Sequence, residues 1–202
     1  MHFSSTGRHL FLILFCCVYS IQMSAQVQSF PYVEDFEKFN TCIPNCIVPC
    51  PLLNAWENAA GLDDFDWIVN KGSTPSAQTG PSFDALPGTS SGKYLYLESN
   101  VVCSRGGEAL LLSPEFDFST VNHPVLSFSY HAFGLGEGRI HLDMWVAGTW
   151  QRDVIEPIKG SENRWQVRHV SLLSAANSSA VRLRWRGITG PVETCDFALD
   201  AI

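Results

Sequence analysis

Apolar and polar side chains alternate with a period of two along most of this chain beyond Phe30, a pattern that suits half-buried antiparallel strands. In residues 139–146, Ile140, Leu142, Met144 and Val146 fall on one side of the pleat, and Arg139, His141, Asp143 and Trp145 on the other. Val181, Leu183 and Trp185 alternate in the same way with Arg182, Arg184 and Arg186, while Leu126, Phe128 and Tyr130 form a third apolar row. Gly80-Pro81, Pro87-Gly88, Gly106-Gly107, Gly148 and Gly190-Pro191 punctuate these runs as turns. No amphipathic helical stretch of useful length appears; the best short candidate is residues 52–60. Short strands separated by Gly and Pro turns predict an all-β fold, two antiparallel sheets packed as a sandwich. No internal repeat and no interdomain linker interrupts it.

Residues 1–25 stand apart from that pattern. Arg8 opens a weakly basic start, residues 10–21 are apolar, and Met23-Ser24-Ala25 precedes Gln26. This is the layout of a secretory signal peptide, and the run is too short to span a bilayer. Cys16 and Cys17 lack the small residue that precedes a lipidated cysteine. Without Arg8, 12 basic residues face 20 acidic ones, which argues against nucleic acid and anionic lipid as partners. No later apolar run approaches the ~18 residues of a transmembrane segment.

Export favours disulfides among Cys42, Cys46, Cys50, Cys103 and Cys195. The count is odd, so one thiol is free or pairs outside the chain. A C-x3-C-x3-C run with no nearby histidine is not a usual zinc spacing. The expected pattern is a local pair within residues 42–50 plus a long-range link from Cys103.

Signs of catalysis are missing. The chain has no H-E-x-x-H, G-x-S-x-G, P-loop or G-x-G-x-x-G motif, and His123, His131, His141 and His169 are not spaced as ligands. It is not expected to be an enzyme. The acidic clusters are more informative: Glu34, Asp35 and Glu37 near the start, Asp63, Asp64 and Asp66 before Trp67, and Asp196 and Asp200 at the end. In a jelly-roll sandwich the opening and closing strands are neighbours, so these carboxylates can converge. A hard, oxygen-rich cluster suits Ca2+, which takes six to eight oxygens. Glu37, Asp66 and Asp200 are the leading candidate ligands of a structural calcium, with Asp64 and Asp196 next. The alternative use of such acids is capping turns.

Trp145, on the polar side of its strand, and Trp150, near a turn, are the candidates for an exposed binding platform. The Arg182, Arg184 and Arg186 stripe either contacts an anionic glycan or pairs with neighbouring acids.

One further pattern runs through the chain as an ordered series of short motifs: DDFDW at 63–67, GSTPSAQTG at 72–80, GKYLYLE at 92–98, LLSP at 111–114, LSFSYH at 126–131, VRLRWRGITG at 181–190 and DFALDAI at 196–202. Their order and spacing resemble the MAM domain, an extracellular module named for meprin, the A5 protein and receptor phosphatase μ, and best its version in secreted bacterial proteins. The resemblance covers residues 30–202. It implies a jelly-roll, concanavalin-like sandwich with an adhesion or recognition role and no catalysis. Partners would be an extracellular protein or a glycan, and the location secreted, extracellular or at the cell surface. It places Trp67, Trp165 and Trp185 at core positions, makes His131 a packed histidine, and adds support for a structural cation.

Departures from the family pattern matter too. Val125 stands where animal members have cysteine, so their long-range disulfide does not carry over. Cys195 stands where bacterial members have serine, which makes it a replacement partner for Cys103. Ala201 removes an acid from the family's closing ALDDI. Such domains continue a few residues further, so residues 26–202 are expected to form one domain truncated at its last strand, within a longer protein with downstream domains. The alternative is a carbohydrate-binding accessory module of a secreted hydrolase or peptidase whose catalytic domain lies beyond residue 202.

Overall fold

The computed structural model describes residues 26–45, 47–99, 105–134, 137–160, 162–191 and 195–202. The expected signal peptide, Cys46 and Cys103 lie outside these residues, as does the side chain of Cys195. Among the described residues eleven strands follow in chain order: β1 (Glu57–Asn58), β2 (Ile68–Lys71), β3 (Lys93–Leu97), β4 (Glu108–Phe116), β5 (Val125–Gly134), β6 (Arg139–Val146), β7 (Thr149–Gln151), β8 (Ile158–Lys159), β9 (Glu162–Ser171), β10 (Val181–Ile188) and β11 (Cys195–Asp200). A 3-10 turn occupies Leu173–Ala175.

The strands form the two antiparallel sheets that the alternation predicts. A six-stranded sheet runs β1-β4-β10-β6-β7 with β8 added on β6, and a five-stranded sheet runs β2-β3-β11-β5-β9. Between them lie the apolar rows read from the sequence. Ile140, Leu142, Met144, Val181, Leu183 and Trp185 face Phe128, Leu95, Leu97, Phe197 and Leu199, each at most 2% exposed. Burying side chains of this size contributes roughly 1.5–3 kcal/mol apiece, which makes this layer the main source of stability. The sheets approach closely at Gly187, where an added Cβ would lie 1.9 Å from Leu97 Cδ1 and 3.0 Å from Trp67 Cζ2. Any side chain there would push the layers apart.

The expected lack of a useful helix holds at residues 52–60, and one expectation, a first strand in the acidic opening segment, is corrected. Residues 52–60 are not helical; they form turns and the short β1, and Trp56 inserts against Phe36 and Trp185 instead. Tertiary packing of one large aromatic overrides a weak helical pattern. The acidic opening segment is not a regular strand either. Phe36 sits at φ 56°, and the segment touches its neighbour through one reciprocal pair, with Glu34 N–H donating to Ile202 O and Ile202 N–H to Glu34 O. The opening and closing segments therefore do lie side by side. Upstream, Val27 bridges in parallel to Phe116 of β4. Cys42 and Cys50 form the expected local disulfide.

Candidate functional site

The outer face of the six-stranded sheet carries the arginine stripe and both candidate tryptophans. Register fixes their meeting: Arg182 lies opposite Trp145, Arg184 opposite Asp143 and Arg186 opposite His141. The β6–β7 hairpin turns at Ala147 and Gly148, both at positive φ, and sets Trp150 across from Trp145. The two indoles meet edge to face with centroids 5.7 Å apart, and the Arg184 guanidinium sits 4.1 Å above the Trp150 ring. Both tryptophans are half-buried. They form an aromatic corner whose shape is set from below by an arginine.

That arginine is itself held. Asp143, fully buried, accepts hydrogen bonds from Arg184 Nη2 at 2.7 Å and Arg186 Nε at 2.7 Å, and from the Asp153 N–H at 2.9 Å. Burial alone would push Asp143 up, but these donors outweigh it and hold its carboxyl below the usual carboxylate range. Asp153 closes the network by accepting from Arg186 Nη2 at 2.8 Å and contacting His141 Nδ1 at 2.7 Å. Arg182 pairs with Glu57 at 3.0 Å. The stripe is thus largely neutralised by neighbouring acids, the second of its two sequence readings. What remains for a partner is the aromatic corner, with its indole edges and fixed charge beneath it.

The outer face of the five-stranded sheet is built differently. Loop 72–92 lies across it and is tied down by single hydrogen bonds: Thr79 Oγ1 to Asp196 Oδ2 at 2.8 Å, Ser76 Oγ to Glu98 Oε1 at 2.8 Å, and the Ala85 and Leu86 N–H groups to Asp200 Oδ2 at 2.8 and 3.0 Å. Trp165 Nε1 donates to Phe83 O at 2.8 Å. Gly92 lets the loop close, since an added Cβ would lie 2.2 Å from Asp84 Oδ2. His131 is packed beneath, edge to face with Trp165, and burial lowers its pKa to about 4. Asp200 is pushed up to about 7, by burial first and by Asp84 nearby, against the three N–H groups it accepts.

The five carboxylates named as calcium ligands are not gathered into one shell. Asp66 accepts the Cys50 N–H and Asp64 the Glu108 N–H, both beside the disulfide loop. Glu37 accepts the Lys93 N–H at the start of β3. Asp196 and Asp200 sit at two separate anchor points of loop 72–92. Among the described residues no group of three or more His, Cys, Asp or Glu side chains could hold a metal ion. The physical reason is local: irregular segments leave backbone N–H groups without ladder partners, and nearby carboxylates satisfy them. Glu37, Asp66 and Asp200 thus each serve a separate part of the fold.

Sequence reasoning passed over Asp143 and Asp153. Asp143 could have been found, as an acid on the polar side of a strand next to three arginines. Asp153 lies in a loop with no signal of its own.

Comparison with known proteins completes the description. The family model for the MAM domain, meprin/A5/mu, matches residues 35–202. The mouse MAM domain-containing glycosylphosphatidylinositol anchor protein 2 is 30% identical over 155 residues, covering 69% of this chain and 16% of that protein. Human zonadhesin is 32% identical over 146 residues, covering 69% of this chain and 5% of zonadhesin. Among solved structures, the K1 cleaved adhesin domain of Lys-gingipain from Porphyromonas gingivalis W83 is 19% identical with a TM-score of 0.48, covering 84% of this chain and 94% of that one. The chain spans about 16% of the length of the first of these relatives.

Proposed function

This chain belongs to the MAM domain family, and from that premise we propose that it is a non-catalytic adhesion and recognition module of a larger extracellular protein. The observation that carries the reading is the Trp145–Trp150 corner, an aromatic surface left half-exposed and braced from below by Arg184. Aromatic side chains present large contact area at little entropic cost, and an indole offers both an apolar face and an N–H donor. Ligand-facing groups of this kind belong on loops and hairpins carried by a rigid scaffold, which the β6–β7 hairpin is. Such a corner suits a glycan, whose apolar ring faces stack on indole.

The name of the mouse relative, a MAM domain-containing glycosylphosphatidylinositol anchor protein, supports a cell-surface setting. Glycan-array binding compared with Trp145→Ala and Trp150→Ala tests the reading. Retained folding with lost binding supports it; unchanged binding in both variants refutes the assignment of the site. An extracellular protein partner is the second reading, and cell-adhesion assays with the same variants distinguish the two.

A further inference from the structure

At the β1 edge of the six-stranded sheet, the edge opposite the β7 hairpin, aliphatic side chains are held out in water. The loop closed by the Cys42–Cys50 disulfide exposes Ile43 by 79%, Ile47 by 91% and Val48 by 67%, and nearby Leu62 is 76% exposed. Collapse of these side chains onto the body is resisted by the loop's construction. Asn45 Oδ1 accepts the N–H groups of Ile47 and Val48, its Nδ2 donates to Ile43 O, and Pro49 follows.

Beside the loop lies a cleft of about 440 Å³, lined by Ile47, Val48 and the buried Trp56 and Phe65. Asp63, Asp64 and Asp66 also line it, with no lysine or arginine among the described lining residues. These three acids accept backbone N–H groups of Leu110, Glu108 and Cys50, neutral donors that leave their charge uncompensated. Glu57, also on the cleft, is paired with Arg182. Burial, and repulsion from Asp66 and Asp64, push Asp63 up to about 6.

We propose that this edge docks a peptide segment of another protein in which an aliphatic or aromatic side chain is flanked by lysine or arginine. The apolar side chain would enter the cleft against Ile47 and Val48, and its flanking cations would relieve the repulsion among Asp63, Asp64 and Asp66. Charge decides against the other occupants. A second copy would bring the same acidic rim to face itself, and the whole chain has 20 acidic against 13 basic residues. An anionic lipid surface is repelled in the same way. This surface stands apart from the tryptophan corner, so either can fail without the other.

The oxidised protein is titrated by fluorescence polarisation with three short synthetic peptides: a Leu-Phe-Leu centre with Lys/Arg flanks, the same centre with Glu flanks, and Lys/Arg flanks around a serine centre. Saturable binding of the first alone is expected. It should weaken about tenfold or more in Ile47→Asp, weaken at high salt and in Asp63→Asn/Asp64→Asn, and stay unchanged in Trp150→Ala. Ile47 is 91% exposed, so its replacement leaves the core intact. No binding of the first peptide, equal binding of the Glu-flanked one, or indifference to Ile47→Asp overturns the proposal. A dimer of the unmodified protein that Ile47→Asp dissociates overturns it too, in favour of self-association.

Discussion

The outer face of the six-stranded sheet is held by ions and left partly open, whereas that of the five-stranded sheet is held by neutral donors and covered. On the first, Asp143 meets two guanidinium groups, and charge balances charge close to water. On the second, Asp196 and Asp200 meet hydroxyl and backbone N–H groups of loop 72–92, and both are fully buried. A carboxylate neutralised by arginine can sit near a surface that binds something. One held by backbone N–H groups binds the chain's own loop, and its face is no longer available. The open face is therefore the functional candidate, and the covered one is scaffold.

Four substitutions sharpen that contrast. Asp143→Ala has the largest expected effect, because it leaves Arg184 and Arg186 without their shared partner: a loss of about 3–5 kcal/mol, read from urea unfolding. Asp196→Ala removes the acceptor for Thr79 Oγ1 and for Ser99 N–H and Oγ. It should cost about 2–3 kcal/mol and expose loop 72–92 to limited proteolysis; an undigested loop would show that the cover does not depend on this anchor.

His131→Gln tests the covered face by pH. The native His131 pKa, about 4, lies below its ordinary value of 6.5. The unfolded chain therefore takes up a proton first as pH falls, and the wild-type protein loses stability from this group between pH 6.5 and 4. Relative to wild type, the variant should gain up to about 3 kcal/mol across that window. A pH-independent difference would mean that His131 protonates freely in the fold. Trp150→Ala is the mildest, about 1 kcal/mol from the lost ring contact and cation–π stack. Ligand binding at the open face should fall far more than the melting temperature.

Much of this was legible in the sequence. The alternation in residues 139–146 matches β6 at both ends, and its apolar row is buried while Trp145 points outward. His131 is a packed histidine, as the family resemblance implied. What the sequence could not show is which polar residues would be covered. Asp143 and Asp200 both occupy the polar side of their strands, yet both are fully buried: Arg184, Arg186 and Asp153 enclose the first, and loop 72–92 covers the second. A period of two assigns a residue to a face of a sheet but says nothing of what lies on that face. Glu37, Asp66 and Asp200 are held apart for a related reason: each accepts backbone N–H groups in a different part of the fold.

Gly187 has one last consequence. The two layers are keyed together there, so a side chain added at that position cannot be absorbed by sliding one sheet over the other. The indole corner and the disulfide rim lie at opposite edges of the six-stranded sheet. Occupants of the two should therefore be borne independently, their free energies adding.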